Sequence, residues 1–529
     1  MRKIVRNVTS VALCCAMVMS ITACGGNSST TETTTNATTT TVSNDSTTTT
    51  PAETTTSADS KITKPDSIRI VVNGTILTEG ISELATQLSE LVGVEYIFDQ
   101  QDHSGYTDAV GRVFASGDWP DAILLPAGLY STYATTGALW DMTDAYEAWK
   151  EELGDRLISD VNDGLKINGA LYGFAPTRGN GCVTYIKQAW LDAVGIQPPT
   201  NWDEYYNMLR LFTENDPDGN GLNDTYGTGA AGIAGSGAPY VHYLPEFYQH
   251  AYPDFLQDSE GVWYDGFTTQ EMKDALARLQ DAYQAKYLDP ELLTDGTNDV
   301  RNKFYEDKFG AFTYWAGTWN QNIIDNLAIQ GLSTDLVVLE PIEGLDYYLE
   351  RQSAVWCITS ACENPEGVFE YFIKPMLDNG EVQFRYTYGA KGFHWDDKAE
   401  TITIGDGNDA VEESYQEGEF HMLVNQENKT LFTKNHLDPA LTVAPMENSP
   451  QSETDAAIAS NMLFIEHSKL APFIPASDVL NDYNGDIWEI RRRVMTEIVV
   501  NGNDIDTWIE YYVTNTKDMV DEVLADLNK

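Results

Sequence analysis

After residue 66, segments with the hydrophobic spacing of β-strands alternate with segments that have the spacing of α-helices. Apolar side chains at every second position predict a strand over 67–72, and leucines at helical spacing predict a helix over 80–91. Residues 94–98 predict a second strand, and a helix that ends near Gly117 follows it. The segment 121–125, in which every residue after Asp121 is apolar, is typical of a buried parallel strand. Strands that alternate with helices in this way predict an α/β layer with a parallel sheet.

The C-terminal residues carry one long helical pattern. Asp506 is the predicted N-cap of this helix. The apolar residues on its predicted buried face are Ile509, Tyr512, Val513, Val520, Val523, Leu524 and Leu527.

The first residues have the pattern of a secretion signal. A basic start precedes an apolar run, 8–19, that is too short to span a bilayer, and small residues then lead into Cys24. We therefore predict a signal peptide over 1–23 and a lipid, such as palmitate, on Cys24, which would anchor an extracytoplasmic protein to the cell membrane. The alternative is an ordinary secretory peptide in which Cys24 is incidental.

Composition after the signal limits the classes of protein. The Ser/Thr-rich stretch within 24–65 cannot build a core and predicts a disordered tether. The formal net charge of −49 excludes a basic nucleic-acid-binding surface and disfavours anionic lipids and polyanions as partners, whereas a cationic ligand stays open. Cys182, Cys357 and Cys362 are an odd number without a metal-site spacing, so we expect buried apolar roles for them.

Several motifs occur in the order of one known family. The pair at 115–121 (ASGDWPD) and 137–143 (GALWDMT) resembles a signature of family 1 extracellular solute-binding proteins, the relatives of maltose-binding protein. Further matches are GALYGFAP at 169–176, WLDAVG at 190–195 with PTNWDE at 199–204, and NPE at 364–366, where Asn364 would cap a helix.

This resemblance implies an α/β protein with a two-lobe periplasmic-binding-protein-like (type II) fold, crossed-over segments and a helical C-terminus. We predict lobe one at 66–176 and 350–435, and lobe two at 177–349 and 436–529. The implied function is that of a carbohydrate receptor of an ABC importer, monomeric, with permease subunits as partners and no catalytic cofactor.

The resemblance also implies where a ligand would bind. In the segment 312–320, Trp319 takes the place of the family tryptophan that stacks on a sugar ring, with Trp315 close by. The remaining candidates follow from position or from a Gly-rich family loop at 389–395, and each has packing in a core as its alternative: Trp119, Tyr130, Arg178 and Trp395. Gly128 and Leu129 stand where maltose-binding proteins have an acid and an arginine, so the identity of the sugar is open.

The segment 216–224 reads DPDGNGLND and has the oxygen spacing of an EF-hand-like loop. The predicted calcium ligands are Asp216, Asp218, Asn220, the Leu222 carbonyl and Asp224. Position 12 of this loop is Gly227 rather than Glu. A structural Ca²⁺ is therefore one interpretation, and a plain Asx/Gly turn is the other.

Two other functions remain as hypotheses on the same sequence. One is a receptor for a non-sugar solute on this fold, and the other is a surface carbohydrate hydrolase. A hydrolase needs a carboxylate pair or a nucleophile with its base in one cleft, and the chain has no G-x-S-x-G or H-E-x-x-H motif.

Overall fold

A computed structural model describes residues 62–529, apart from 75–78, 103–104, 234–242, 248–250, 346, 406, 408–409, 428, 433–442, 444–445, 447–449, 451–452, 472 and 476. The predicted signal peptide and Cys24, with nearly all of the predicted tether, lie outside the described residues.

The strands of the described residues are β1 (Ser67–Gly74), β2 (Glu95–Asp102), β3 (Ala122–Leu125), β4 (Gly173–Phe174), β5 (Cys182–Lys187), β6 (Tyr226–Thr228), β7 (Phe255–Gln257), β8 (Trp263–Asp265), β9 (Phe309–Trp315), β10 (Leu336–Val338), β11 (Tyr348–Glu350), β12 (Val355–Ile358), β13 (Trp395–Asp396), β14 (Glu400–Ile404), β15 (Val411–Tyr415), β16 (His421–Met422) and β17 (Ser468–Leu470).

The α-helices of the described residues are α1 (Ile81–Val92), α2 (Tyr106–Ser116), α3 (Ala127–Thr135), α4 (Thr143–Leu153), α5 (Ser159–Gly164), α6 (Gln188–Val194), α7 (Trp202–Glu214), α8 (Gln270–Gln284), α9 (Thr297–Tyr305), α10 (Thr318–Ile329), α11 (Pro365–Val368), α12 (Glu381–Tyr388), α13 (Asp455–Glu466), α14 (Asp478–Met495) and α15 (Ile505–Leu527). Short π-helical segments continue α11 and α14.

The first sheet has the order β2-β1-β3-β12-β4. β1 pairs in parallel with β2 and β3, as the alternation of strands and helices predicts. β12 pairs antiparallel with β3 and β4, so the sheet is mixed. All side chains of β3 and β12 are buried, because helices cover the middle of the sheet.

The second sheet has the order β10-β5-β9-β6. β5 and β9 pair antiparallel, and every residue of β5 is buried. In the described residues the smaller pairings are β7 with β8, β11 with β17, β13 with β16 and β14 with β15.

Each of the two sheets lies in its own hydrophobic core, and we call the two cores with their sheets the first and the second lobe. The first core gathers β1 to β4, the helices between them, and residues 355–390, with Val443 also packed in it. The second core gathers 182–349 and the C-terminal helices. The exact lobe boundaries stay a prediction.

Helix ends show where local sequence signals decide the structure. Gly117 follows α2 with φ 75°, a left-handed conformation that glycine adopts without strain, which confirms the predicted stop. Asn364 caps α11 through its side chain, with Pro365 in the first turn, as predicted. The predicted cap Asp506 is wrong, because α15 begins two residues earlier and Asp504 accepts the cap hydrogen bond from Thr507 N.

Cys182 and Cys357 are fully buried and Cys362 is half-buried. Among the described residues, none of the helices combines the length and the apolar character needed to cross a bilayer.

Candidate ligand-binding site

Within the described residues, the lobes are joined where the chain crosses from β4 to β5 and where it returns from β11 to β12. The two crossing segments, 175–181 and 351–354, contact each other through Ser353 Oγ, which donates to Thr177 O at 2.7 Å, and Arg351 N, which donates to Asn180 O at 3.3 Å. A Cβ at Gly179 would lie 1.8 Å from Arg351 O, so only glycine allows this backbone approach. We call these segments, with the turn 315–317, the lobe junction.

The end of β9 is held against the first crossing. Asn180 Nδ2 donates to Ala316 O at 3.1 Å, and Ala316 N donates to Gly181 O at 2.9 Å. Gly317 then turns the chain with φ 78° into α10. Both predicted tryptophans, Trp315 and Trp319, are half-buried at this turn.

Four aromatic rings form a continuous row beside the junction, and we call them the aromatic row. Trp315 meets Tyr243 edge to face at 6.0 Å, Tyr243 stacks on Tyr314 at 5.3 Å, and Tyr314 meets Trp319 edge to face at 5.0 Å. The two tyrosines are buried, so they support the two tryptophans that reach solvent.

An arginine covers each end of the aromatic row. Arg351 Cζ lies 4.4 Å from the centre of a Trp315 ring, and Arg301 Cζ lies 4.7 Å from that of Trp319. Trp319 is therefore not a bare platform, since a guanidinium already rests on one of its faces. Neither the two arginines nor Tyr243 was predicted from the sequence as part of a ligand site. Only Arg351 could have been proposed, because it directly follows β11 at the start of the return crossing.

Arg178 lies at the junction but is engaged in ion pairs. Its guanidinium donates to Glu350 Oε2 at 2.8 Å and to Asp160 Oδ2 at 2.8 Å. Burial raises the pKa of Glu350, and the charge of Arg178 opposes that rise. These ion pairs tie α5 of the first lobe to the end of β11, and the ligand contact of Arg178 stays a prediction.

Three other predicted contacts lie apart from the junction. Tyr130 is fully buried in the first core, where its hydroxyl donates to Leu165 O at 2.8 Å. Trp119 donates a hydrogen bond to Phe114 O at 2.9 Å. It precedes β3, so it lies at the end of this strand opposite to Leu125. Trp395 is buried in a separate aromatic cluster against Phe384 and Phe420, which its position after a Gly-rich loop did not predict.

That separate cluster borders a cavity of about 790 Å³. Strand β14 and described residues of the segment 423–432 line it, with Phe393 and Phe432 among the apolar lining side chains. Asn425 Nδ2 donates to Glu79 Oε2 at 2.8 Å and so ties this loop to the start of α1. None of the predicted ligand residues lines this cavity.

The predicted calcium loop brings its carboxylates together. Asn220 Nδ2 donates to Asp218 Oδ2 at 2.6 Å and to Asp224 Oδ1 at 3.1 Å, and Gly221 N donates to Asp216 Oδ2 at 3.0 Å. Burial and the neighbouring Asp216 raise the pKa of Asp218. A cation would relieve this repulsion, so the side-chain oxygens fit calcium.

Two features limit the fit of this loop to calcium. Lys308 Nζ donates to Asp224 Oδ2 at 2.7 Å and lowers the pKa of that carboxyl. Gly227, the twelfth position, is buried against Leu209 and offers no side-chain oxygen.

A second acidic cluster, which could otherwise bind a metal ion, is occupied by the side chain of a lysine. The carboxylates of Asp289, Glu291 and Asp295 surround Lys303 Nζ at 2.8, 2.5 and 2.6 Å. The ammonium group neutralises this cluster, so we assign it a structural role.

Comparison with known proteins places this geometry in a family. The family model "Bacterial extracellular solute-binding protein" matches residues 75–373, which is more than half of the chain. The chain belongs to this family. Membership confirms the resemblance seen in the motifs and the interpretation as a binding protein rather than an enzyme.

Two curated proteins of Bacillus subtilis (strain 168) match parts of this solute-binding protein. Lipoprotein LipO is 33% identical over 130 residues, which are 23% of this chain and 25% of LipO. The polygalacturonan/rhamnogalacturonan-binding protein YtcQ is 24% identical over 313 residues, which are 54% of this chain and 58% of YtcQ. The matches thus span about a quarter and somewhat over half of the lengths of these relatives.

Solved structures confirm the predicted fold class. The S. pneumoniae ABC-transporter substrate binding protein FusA in complex with kestose has a TM-score of 0.61 at 16% identity, with 88% of this chain and 98% of FusA covered. A FusA EF-hand mutant in complex with fructo-nystose has a TM-score of 0.58 at 17% identity, with the same coverage. The solute-binding protein therefore has the mixed α/β periplasmic-binding-protein fold.

Proposed function

We propose that this solute-binding protein captures an oligosaccharide between its lobes and presents it to an ABC importer. The observation that carries the proposal is the aromatic row, whose half-buried tryptophans lie directly beside the lobe junction. Sugar rings present CH faces that stack on aromatic rings and hydroxyl groups that need polar partners. The kestose bound to FusA and the polysaccharides named for YtcQ support the choice of a carbohydrate.

Binding would drive closure through contacts that neither lobe makes alone. Trp315 and Trp319 belong to the second lobe, whereas the crossing segments lead directly into the first-lobe strands β4 and β12. A ligand held on the aromatic row would favour the closed state by its additional contacts with the first lobe. No bond of the sugar has to change for this cycle.

A thermal-shift screen tests the proposal. The purified protein is heated with a panel of neutral and acidic oligosaccharides and with a matched panel of amino acids, peptides and polyamines. We expect at least one oligosaccharide to raise the melting temperature in a concentration-dependent way, because binding to the native state stabilises it by mass action. Stabilisation by members of the second panel alone would contradict a carbohydrate ligand and favour the non-sugar receptor.

We also propose that the loop 216–224 holds a structural Ca²⁺. Asp216, Asp218, Asn220, Leu222 through its carbonyl, and Asp224 would supply oxygen ligands, and the ion would fix the turn between α7 and β6. The convergence of Asp218 and Asp224 on one amide supports this role, as does the EF-hand named for FusA.

We further propose that lipid on Cys24 anchors the protein to the cell surface, which the match to lipoprotein LipO supports. Cys24→Ala should move the protein from the membrane fraction to the medium or leave it as uncleaved precursor, whereas Cys14→Ala in the same leader should not. Unchanged fractionation of the Cys24 variant would contradict the anchor.

A further inference from the structure

The two arginines on the aromatic row differ from most basic side chains of this protein in what they contact. The chain has 81 acidic and 32 basic residues, and many of its lysines and arginines pair with carboxylates. Among the described residues, neither Arg351 nor Arg301 has a carboxylate within 4.0 Å. Both guanidinium groups instead lie over tryptophan rings beside the lobe junction.

Arg351 combines exposure to solvent with local desolvation of its guanidinium group. The residue is exposed to solvent, yet the atoms packed around it desolvate the guanidinium and lower its pKa. A positive charge in such a place is costly unless an anion compensates it. In a chain this rich in carboxylates, an arginine that pairs with none of them among the described residues points to an anion supplied by a ligand.

Stacking on tryptophan orients these guanidinium groups for recognition. An arginine that lies over an aromatic face has its edge N–H groups fixed in direction. That edge matches the two oxygens of a carboxylate, which it binds through two parallel hydrogen bonds. Arg301 also donates from Nη2 to Asn298 Oδ1, so only its remaining N–H groups can bind a ligand. The neighbouring half-buried indole rings of Trp315 and Trp319 remain in reach of the CH faces of the same ligand.

We propose that the oligosaccharide bound at the lobe junction is acidic and carries uronate carboxylates, with Arg351 and Arg301 as the groups that bind them. This inference rests on the proposed function and narrows its substrate class. An arginine at each end of the row fits a ligand with a carboxylate on more than one sugar unit. The two guanidinium groups then recognise charge, and the rings recognise the sugar.

The formal net charge of −49 disfavours binding of long polyanions, as the sequence predicts, but it repels a short anionic ligand less. Exposed charges are screened beyond about 8 Å at physiological ionic strength, so distant surface carboxylates act weakly at the junction. The two guanidinium groups lie directly on the aromatic row, with Cζ 4.7 Å and 4.4 Å from the ring centres of Trp319 and Trp315.

Calorimetric titration of the full-length protein with matched ligand pairs tests this inference. The probes are uronate trisaccharides built on galacturonate, glucuronate and mannuronate, each paired with the same trisaccharide after reduction of its carboxylates to CH₂OH. A sulfated trisaccharide serves as a second anion. We expect at least one uronate trisaccharide to bind about tenfold or more tightly than its reduced partner and more tightly than the sulfated one.

Arginine variants test whether Arg351 and Arg301 cause the preference for uronate over reduced trisaccharides. Arg351→Met should weaken uronate binding about tenfold or more while leaving the affinity for the reduced trisaccharide nearly unchanged, and Arg351→Lys should recover part of the loss. Arg301→Met is an independent second variant with the same expected selectivity. Arg493→Met is the matched control, because Arg493 also lies over a tryptophan, Trp508 at 5.9 Å, but in the C-terminal helices.

The outcomes separate this inference from the proposed function. Equal binding of reduced and uronate trisaccharides, or equal loss of both in Arg351→Met, would overturn the acidic specificity and leave a neutral sugar receptor. Preference for the sulfated probe would overturn the assignment to carboxylates. Failure of every saccharide to bind would overturn the proposed function together with the inference.

Discussion

Trp319 is half-buried, so its removal should affect ligand binding more than the stability of the fold. Its ring meets Tyr314 edge to face at 5.0 Å on one side and carries Arg301 on a face. An aromatic pair contributes about 0.5–1.5 kcal/mol beyond its buried area, so loss of the ring should not unfold the second lobe.

Trp319→Ala should therefore weaken binding of the cognate oligosaccharide about tenfold or more, while the empty protein stays folded. Calorimetric titration measures the affinity, and circular dichroism checks the fold. Trp508→Ala is the matched control, since Trp508 is also half-buried beneath an arginine but belongs to α15. A folded Trp319→Ala protein with wild-type affinity would show that Trp319 is a packing residue.

His394 makes the stability of the first lobe depend on pH. The imidazole is fully buried, its Nδ1 accepts from Ala390 N at 3.0 Å, and its Nε2 faces Glu79 O at 3.2 Å. Burial lowers the pKa of His394 to about 4, so the native state holds the neutral ring. The unfolded chain takes up this proton near pH 6.5.

We expect the contribution of His394 to be complete above pH 6.5 and to be lost as the pH falls towards 4, a decrease of about 3 kcal/mol in the free energy of unfolding. Denaturant titrations at several pH values between 4 and 7.5 measure it. His394→Gln should be less stable at pH 7.5 and should flatten the profile. The same slope in His394→Gln and wild type would contradict this assignment.

At the scale of elements, the calcium loop is the clearest test of a local pattern. The spacing of oxygen-bearing residues in 216–224 depends on sequence alone, and the structure brings Asp218 and Asp224 to one amide. The ammonium of Lys308, which comes from the residue before β9, lies on one of these carboxylates and could not be foreseen from the loop.

Removal of Ca²⁺ by a chelator should lower the melting temperature of the wild-type protein, because a ligand of the native state stabilises it. Asp218→Ala should abolish this sensitivity, and Lys308→Met should increase it by freeing Asp224 for the ion. Differential scanning calorimetry in metal-free buffer, with and without added Ca²⁺, measures both. Identical melting of the wild-type protein under the two conditions would favour the plain turn.

Elements with strong local patterns were predictable from the sequence. The first three strands and the helices between them follow the spacing of apolar residues, and Gly117 and Asn364 set helix ends by their own backbone and side-chain chemistry. The antiparallel insertion of β12 between β3 and β4 was not predicted, because it depends on pairing with a distant segment. The burial of Tyr130 was also not predictable from its position after β3, because it depends on which face of α3 packs against the first core.

The candidate site was predictable only in part for a related reason. Trp315 and Trp319 could be proposed because they stand in one recognisable segment. The contact of Arg351 with Trp315 depends on how the return crossing packs beside the end of β9, which no local pattern encodes. Arg178 lies in the first crossing segment, but its partners Glu350 and Asp160 come from separate parts of the chain and could not be predicted from its position.

At the scale of the whole molecule, two cores are joined by crossing segments that contact each other along their backbones. Such an arrangement allows the lobes to move as bodies about a short hinge. The ion pairs of Arg178 connect α5 of the first lobe with the end of β11, directly before the return crossing. A ligand at the aromatic row would lie where movement of one lobe changes its contacts with the other.

A carbohydrate receptor holds its sugar and releases it unchanged. Calorimetric titration with the oligosaccharide that stabilises the protein best, followed by mass spectrometry of the sugar recovered after prolonged incubation, tests both properties. We expect saturable binding of one oligosaccharide per chain and recovery of the intact sugar. Shortened products would instead show a hydrolase, and saturable binding of a non-carbohydrate solute, with no binding of any oligosaccharide, would show a receptor of another class.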